Sequence, residues 1–334
     1  MKISRRAMLI MPAVLPGVAQ SAHADLAAPG RIMNTNSDIV IDLWPAPPSG
    51  ALNPKMKEVI EESSSEPNNS NLRLKGITRP RLALVPASKP NGSSMLIIPG
   101  GGFGWNYFDR EGYRIADFLA ANGVTCFILF YRLANDGWSQ PADVGLADTQ
   151  RAVRKIREQA KTLGLDPNRI GVIGFSAGGF LAASLATRHA VKTYQALDAA
   201  DMLDARPTLV GAIYPVISLT RPIAYSGLAP SLFADNVTAK TITTYAPSRN
   251  VTPNTSPMFL AHAEDDGLVP VDNSLEMRQA LVAQRIAVET HLFERGGHGW
   301  DMRSGPEHPA HFWPQLFLNF IRRQGLCGVT RTST

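Results

Sequence analysis

From Gly76 to Arg323 short apolar runs alternate with longer stretches of helical period, and this alternation limits the chain to very few architectures. GITRPRLALVPA, SMLIIPG, VTCFILFYRL, RIGVIGFS, TLVGAIYPV, PMFLAHAED and AVETHLFE read as strands. Between and after them REGYRIADFLAANG, DVGLADTQRAVRKIREQAKTLG, SAGGFLAASLATRH, DNSLEMRQALVAQR and HPAHFWPQLFLNFIRR read as helices, the first closed by Gly123, the second by Gly164, and the last interrupted by Pro314. Strands separated by helices pair in parallel through right-handed crossovers. Several are apolar at every position, as strands covered on both faces must be. The expectation is one doubly wound α/β domain over residues 76–326, with a mostly parallel central sheet and helices on both faces. Between about 217 and 256 the period weakens around Pro222, Pro230, Pro247 and Pro253, which suggests a loop-rich insertion over the sheet. At 334 residues, 44% hydrophobic and 18% charged, the chain has ample material for one large core.

The first 24 residues, MKISRRAMLIMPAVLPGVAQSAHA, stand outside this pattern: a basic start, an apolar middle and a small-x-small end are the marks of an export signal. Ser4, Arg5 and Arg6 followed by Leu9 resemble a twin-arginine signal, and Ala22-His23-Ala24 would leave Asp25 as the mature start. The apolar middle, Ala7 to Ala19, is shorter than the roughly 20 residues a spanning helix requires. A periplasmic or secreted protein without a stable membrane anchor is therefore expected. Residues 25–75, rich in Pro, Ser and Asn, read as an irregular arm that packs over the core through Trp44, with EESSSEPNNSN as its most linker-like piece.

Removing three cations and no acid with the signal takes the formal charge from +5 to +2. No block of Lys or Arg remains, and pairs such as Arg322-Arg323 suit a solvated helix face better than a nucleic-acid footprint. Of the two cysteines, Cys126 lies inside an apolar run as a buried thiol would, and nothing in the sequence calls for a bridge to Cys327.

Gly174-Phe175-Ser176-Ala177-Gly178 matches G-x-S-x-G at a strand-to-helix turn. A serine on so sharp a turn adopts an unfavourable backbone conformation, and its neighbours two positions away must lack bulk. The plainer reading, a glycine-rich phosphate loop, lacks both G-x-G-x-x-G and G-K-[ST] here. A serine nucleophile needs a base, and His298 in ERGGHGW follows the last strand, where a loop can carry it to the strand ends. His189, His262, His291, His308 and His311 fit structural roles better; His308 and His311 have no third ligand of recognised spacing for a metal. An acid must orient the histidine. HAEDDGLVP offers Glu264, Asp265 and Asp266; D-x-x-V-P puts Asp266 at the loop apex, with Asp265 next in order. Ser176, Asp266 and His298 then follow the chain order of α/β-hydrolases. Backbone N–H groups of Gly101, Gly102 and Ala177 are the candidate oxyanion donors, each typically worth about 3 kcal/mol.

Taken together, PGGG, YRL, DTQRAVR, DPNRIGVIGFSAGG, HAEDDGLVP, GGHGW and the IDLWPAPPSG arm resemble bacterial α/β-hydrolases of the acetylxylan-esterase and related carbohydrate-esterase type, over about Ile39 to Arg323. Pro99 stands where lipase-like esterases carry the histidine of H-G-G-G, a change that leaves the backbone donors in place. The resemblance implies ester hydrolysis through an acyl-enzyme on Ser176, with no metal or organic cofactor. Its implied substrates are acetylated plant polysaccharide fragments or other acylated sugars, on which Phe103, Trp105, Tyr107, Trp138 or Trp300 would stack. Alternatives with the same machinery are a dipeptidyl-peptidase-like enzyme, for which a propeller domain is missing, and a dienelactone-hydrolase-like enzyme, which would carry cysteine at Ser176. A non-catalytic binding protein of this fold would have no need of the three residues in order.

Overall fold

The computed structural model describes residues 39–64, 71–300, 302 and 305–327, so the expected export signal lies outside the described residues. Among the described residues there are ten strands: β1 (Ile39–Asp42), β2 (Val59–Glu62), β3 (Leu72–Lys75), β4 (Arg81–Val85), β5 (Ser94–Ile98), β6 (Thr125–Phe130), β7 (Ile170–Phe175), β8 (Leu209–Ile213), β9 (Met258–Ala263) and β10 (Val288–Phe293). Seven α-helices accompany them: α1 (Arg114–Ala121), α2 (Pro141–Gln159), α3 (Ala177–Arg188), α4 (Leu228–Phe233), α5 (Ala239–Tyr245), α6 (Asp272–Ala283) and α7 (Trp313–Arg323).

Eight strands form one sheet in the order β1-β4-β6-β5-β7-β8-β9-β10. From β6 to β10 the neighbours are parallel, whereas β4 is antiparallel to both β1 and β6. Strands β5 to β9 are buried along their whole length, which is why they read as unbroken apolar runs. Adjacent residues of β7 show how both faces are covered. Ile173 pairs in register with Gly211, where a Cβ would stand 2.7 Å from Phe317 of α7. The next residue, Gly174, points to the opposite face, where a Cβ would stand 2.2 Å from the Gly178 carbonyl of α3.

The arm between 39 and 75 is more regular than its composition suggests. β1 extends the main sheet as an edge strand, and β2 and β3 form a separate antiparallel pair. Leu74 exchanges two backbone hydrogen bonds with Asn106, tying β3 to the loop after β5. Trp44 donates to Asp148 of α2 at 2.8 Å. The weakly periodic segment 217–256 likewise holds two short helices, α4 and α5, rather than loop alone. Pro314 occupies the first turn of α7, where its missing N–H costs no helical hydrogen bond, so it opens the helix instead of interrupting it. The stretch read as one helix from Arg110 begins as a wider π-helical turn, Asp109–Tyr113, that sends Glu111 inward before α1 starts. Cys126 and Cys327 are buried, unbridged thiols. No helix among the described residues is long and apolar enough to cross a membrane.

Candidate active site

β7 ends at Phe175 and α3 begins at Ala177, so Ser176 alone makes the turn, at φ 52° and ψ −117°. Such a backbone is strained for a residue with a Cβ. It is held by hydrogen bonds from Ser176 N–H to Ile213 O (3.0 Å) and from Phe180 and Val216 N–H to Ser176 O (3.1 and 3.2 Å). The flanking glycines are needed because the turn is crowded: a Cβ on Gly178 would lie 2.2 Å from Ile98 O. Ser176 is 9% exposed and lines a cleft.

Two loops from distant parts of the sequence converge on that oxygen. His298, after β10, presents Nε2 to Ser176 Oγ at 2.8 Å and Nδ1 to Asp266 Oδ2 at 2.6 Å. Asp266, after β9, accepts the N–H groups of Leu268 (3.0 Å) and Val269 (2.9 Å) on Oδ1. Its second oxygen also receives His262 Nε2 at 3.1 Å. Burial by itself would raise the Asp266 carboxyl, but the hydrogen bonds of His262 and His298, the charge of His298 and the Val269 N–H hold it well below the usual carboxylate range. The adjacent Asp265 faces elsewhere and accepts the N–H of Gly297 at 2.7 Å, tying the acidic loop to the histidine loop.

The loop after β5 closes the other side. A Cβ on Gly100 would stand 3.0 Å from Ser176 Cβ, so this loop lies directly against the serine. Gly101 and Gly102 have φ of 131° and 60°, a conformation open to glycine, and among the described residues nothing accepts their N–H groups. They line the cleft into which Ser176 opens, and Ala177 N–H, the third candidate donor, follows Ser176 directly at the start of α3. Behind them Glu111, 7% exposed, accepts the Gly100 N–H at 2.7 Å and contacts the Tyr214 hydroxyl at 2.9 Å.

The cleft encloses about 740 Å³, and its wall joins Ser176, His298, Gly101 and Gly102 to Arg73, Trp105, Tyr107 and Tyr225. Of the aromatic residues expected to meet a sugar, Trp105 and Tyr107 line it. Arg73 of β3 lies over the Trp105 ring at 3.9 Å and donates to the Tyr107 hydroxyl at 3.0 Å. Phe103, Trp138 and Trp300 do not line it: they are 3%, 3% and 5% exposed and belong to the interior. Phe103 packs edge-on to Phe180, Trp300 packs on Tyr214 and Trp313, and Trp138 carries Arg132 over its ring. Large apolar rings gain most from full burial, and at Trp105 and Tyr107 the Arg73 guanidinium over the ring compensates for partial exposure. Among the described residues no three His, Cys, Asp or Glu are grouped to hold a metal, and His308 Nδ1 accepts the Ala310 N–H. Sequence reasoning overlooked Glu111, Tyr214 and Tyr225, whose significance depends on contacts more than 80 residues away along the chain.

The family model described as BD-FAE matches residues 83–281, more than half of the chain. An acetylxylan esterase of Xylanibacter ruminicola is 27% identical over 215 residues, 63% of this chain and 42% of that protein. Endo-1,4-beta-xylanase B of Butyrivibrio fibrisolvens is 32% identical over 209 residues, 61% of this chain and 32% of that protein. The aligned region thus spans between about a third and two-fifths of these curated relatives' length. Among solved structures, an acetyl ester-xyloside bifunctional hydrolase from Caldicellulosiruptor lactoaceticus is 29% identical with a TM-score of 0.69, covering 86% of this chain and 97% of that one. A carboxylesterase from Lactobacillus plantarum is 25% identical with a TM-score of 0.60, covering 82% and 99% respectively. The chain belongs to the BD-FAE family and has the α/β-hydrolase fold.

Proposed function

We propose that this BD-FAE family member is a serine esterase that removes short acyl groups, acetyl above all, from esterified plant polysaccharide or sugar substrates. The observation that carries this reading is the continuous hydrogen-bonded series Ser176 Oγ, His298 Nε2, His298 Nδ1, Asp266 Oδ2, opening on a cleft beside two glycines whose N–H groups meet no acceptor among the described residues. The names of its relatives, an acetylxylan esterase and an acetyl ester-xyloside hydrolase among them, support the acyl group and the sugar.

In this mechanism Ser176 Oγ attacks the ester carbonyl while its proton passes to His298 Nε2. The carbonyl oxygen, now an oxyanion, receives N–H groups from the Gly101–Gly102 loop and Ala177. Collapse of the tetrahedral intermediate breaks the bond to the alcohol, which takes its proton from His298 and leaves the acyl group on Ser176. Water, deprotonated by His298, repeats the addition and releases the acid. Asp266 stays ionised throughout, orienting the ring and stabilising the imidazolium. The cleft's hydrogen-bonding edge from β2 and β3, with Trp105 and Tyr107, suits a polyhydroxylated leaving group. The twin-arginine-like start of the sequence supports an activity outside the cytoplasm.

The experiment is acetate release from acetylated xylan and from p-nitrophenyl acetate by wild type and Ser176→Ala, alongside feruloylated and longer-chain esters. Acetate release that disappears in Ser176→Ala supports the reading. Cleavage of an amide substrate with no ester hydrolysis overturns it.

A further inference from the structure

Tyr214 follows β8 with a φ of 36°, unusual for a residue with a side chain, and its hydroxyl lies between two acceptors from different loops. Glu111 Oε1 is 2.9 Å away and the Trp300 carbonyl 3.1 Å. A tyrosine hydroxyl has one proton, and a carbonyl oxygen can only accept. Were Glu111 ionised, that single proton would be divided between a carboxylate and a carbonyl oxygen, leaving both contacts under-satisfied at a buried site. A proton on Glu111 Oε1 resolves it. Gly100 N–H donates to Glu111 Oε2, Glu111 Oε1–H donates to Tyr214, and Tyr214 donates to Trp300 O.

Both ends of this relay lie on loops that carry residues of the reaction centre. Gly100 precedes the Gly101 and Gly102 donors and lies against Ser176. Trp300 is two residues beyond His298, and the Tyr214 ring packs edge-on against His298 (4.9 Å) and Trp300 (4.8 Å).

We propose that Glu111 is a positioning residue kept as a neutral carboxylic acid, which with Tyr214 locks the oxyanion loop and the histidine loop at a fixed separation. This rests on the esterase reading above. A neutral acid orients Gly100 without setting a negative charge behind the site where the oxyanion develops. Burial pushes the Glu111 carboxyl up, against the downward pull of the Gly100 N–H, Tyr214, His298 and Arg110. The titratable and charged groups facing it are Arg110 in its own turn and Tyr131, Tyr214 and His298 from other elements.

Glutamine reproduces the hydrogen bonding of a neutral acid, with a carbonyl for Gly100 and an N–H for Tyr214, and leucine reproduces neither. With p-nitrophenyl acetate, Glu111→Leu and Tyr214→Phe lose up to about 100-fold in kcat with little change in KM, the scale of a small misplacement of reacting groups. Glu111→Gln restores most of what leucine removes and extends activity to higher pH, since it has no proton to lose. A glutamine variant as impaired as leucine overturns the proposal. If the leucine variant fails to fold, infrared spectroscopy decides. Wild type at neutral pH shows a protonated-carboxyl C=O band that is missing in Glu111→Gln, and no difference in that band overturns the neutral acid. The band needs no turnover, so absence of ester hydrolysis in wild type sinks the esterase reading separately.

Discussion

His262 Nε2 lies 3.1 Å from Asp266 Oδ2, the same oxygen that His298 Nδ1 reaches at 2.6 Å. The same nitrogen faces Val269 O at 2.9 Å, so it carries the proton, and Nδ1 accepts from Ser274 Oγ at 2.8 Å. His262 is fully buried and gives the carboxylate a second imidazole contact beside that of His298. In His262→Leu the Asp266 carboxylate loses one donor and Ser274 its acceptor. The expected outcome is a stability loss of about 2 kcal/mol in urea unfolding. Steady-state kinetics should show a kcat reduced by about tenfold with KM nearly unchanged, because the histidine loses orientation and the cleft does not change. Unchanged kcat in a folded variant would remove His262 from the site.

The depressed Asp266 carboxyl gives a pH dependence with a definite sign. Its folded value lies below the unfolded one of about 3.9. The stabilisation is therefore complete above the unfolded value and is lost as pH falls toward the folded one. Urea unfolding of wild type from about pH 6 down to about pH 3 should show a steeper decline than Asp266→Asn, which has no such group to protonate. Parallel profiles would mean that Asp266 titrates alike in both states.

Tyr225, just before α4, brings the 217–256 segment to the cleft. A Cβ on Gly102 would stand 3.0 Å from its hydroxyl, and a Cβ on Gly227 would fall 2.6 Å from its ring, so two glycines make room for this one side chain. It caps the space next to the candidate oxyanion donors. Tyr225→Ala should raise kcat/KM for butyrate and hexanoate esters relative to acetate by about tenfold, within the range a hydrophobic pocket can discriminate. Tyr225→Phe should keep the wild-type ranking. An unchanged ranking in the alanine variant would assign the acyl limit to another residue.

What was legible in the sequence was what depends on local pattern. Strands β5 to β9 announced themselves because burial on both faces demands continuous apolar residues, and the Ser176 turn did so because its crowding excludes side chains at Gly174 and Gly178. The short strands of the arm are not legible because β1, β2 and β3 have four residues each and gain their order from partners such as Leu84 and Asn106. Glu111 looked like an ordinary acid early in a helix. Nothing local shows that its carboxyl meets Tyr214, or that Trp300, two positions from His298, turns into the core.

The arm's attachment gives the last prediction. Asp148 of α2 is fully buried and accepts from Arg132 Nε (3.0 Å), Arg132 Nη2 (2.7 Å), the Arg132 N–H (2.8 Å) and Trp44 Nε1 (2.8 Å). One carboxylate thus joins the end of β6, helix α2 and the arm. Removing one charge of such a pair leaves the other desolvated and unpaired, so Asp148→Ala should cost about 3–5 kcal/mol, far more than a surface pair. The double variant Asp148→Leu, Arg132→Met removes both charges and should lose much less than the single variant, because the desolvation penalty disappears with the attraction. Urea unfolding of both variants separates these cases. If the double variant is as unstable as the single one, the Trp44 contact and the backbone N–H of Arg132, which both lose their acceptor, outweigh the ion pair in holding the arm to the domain.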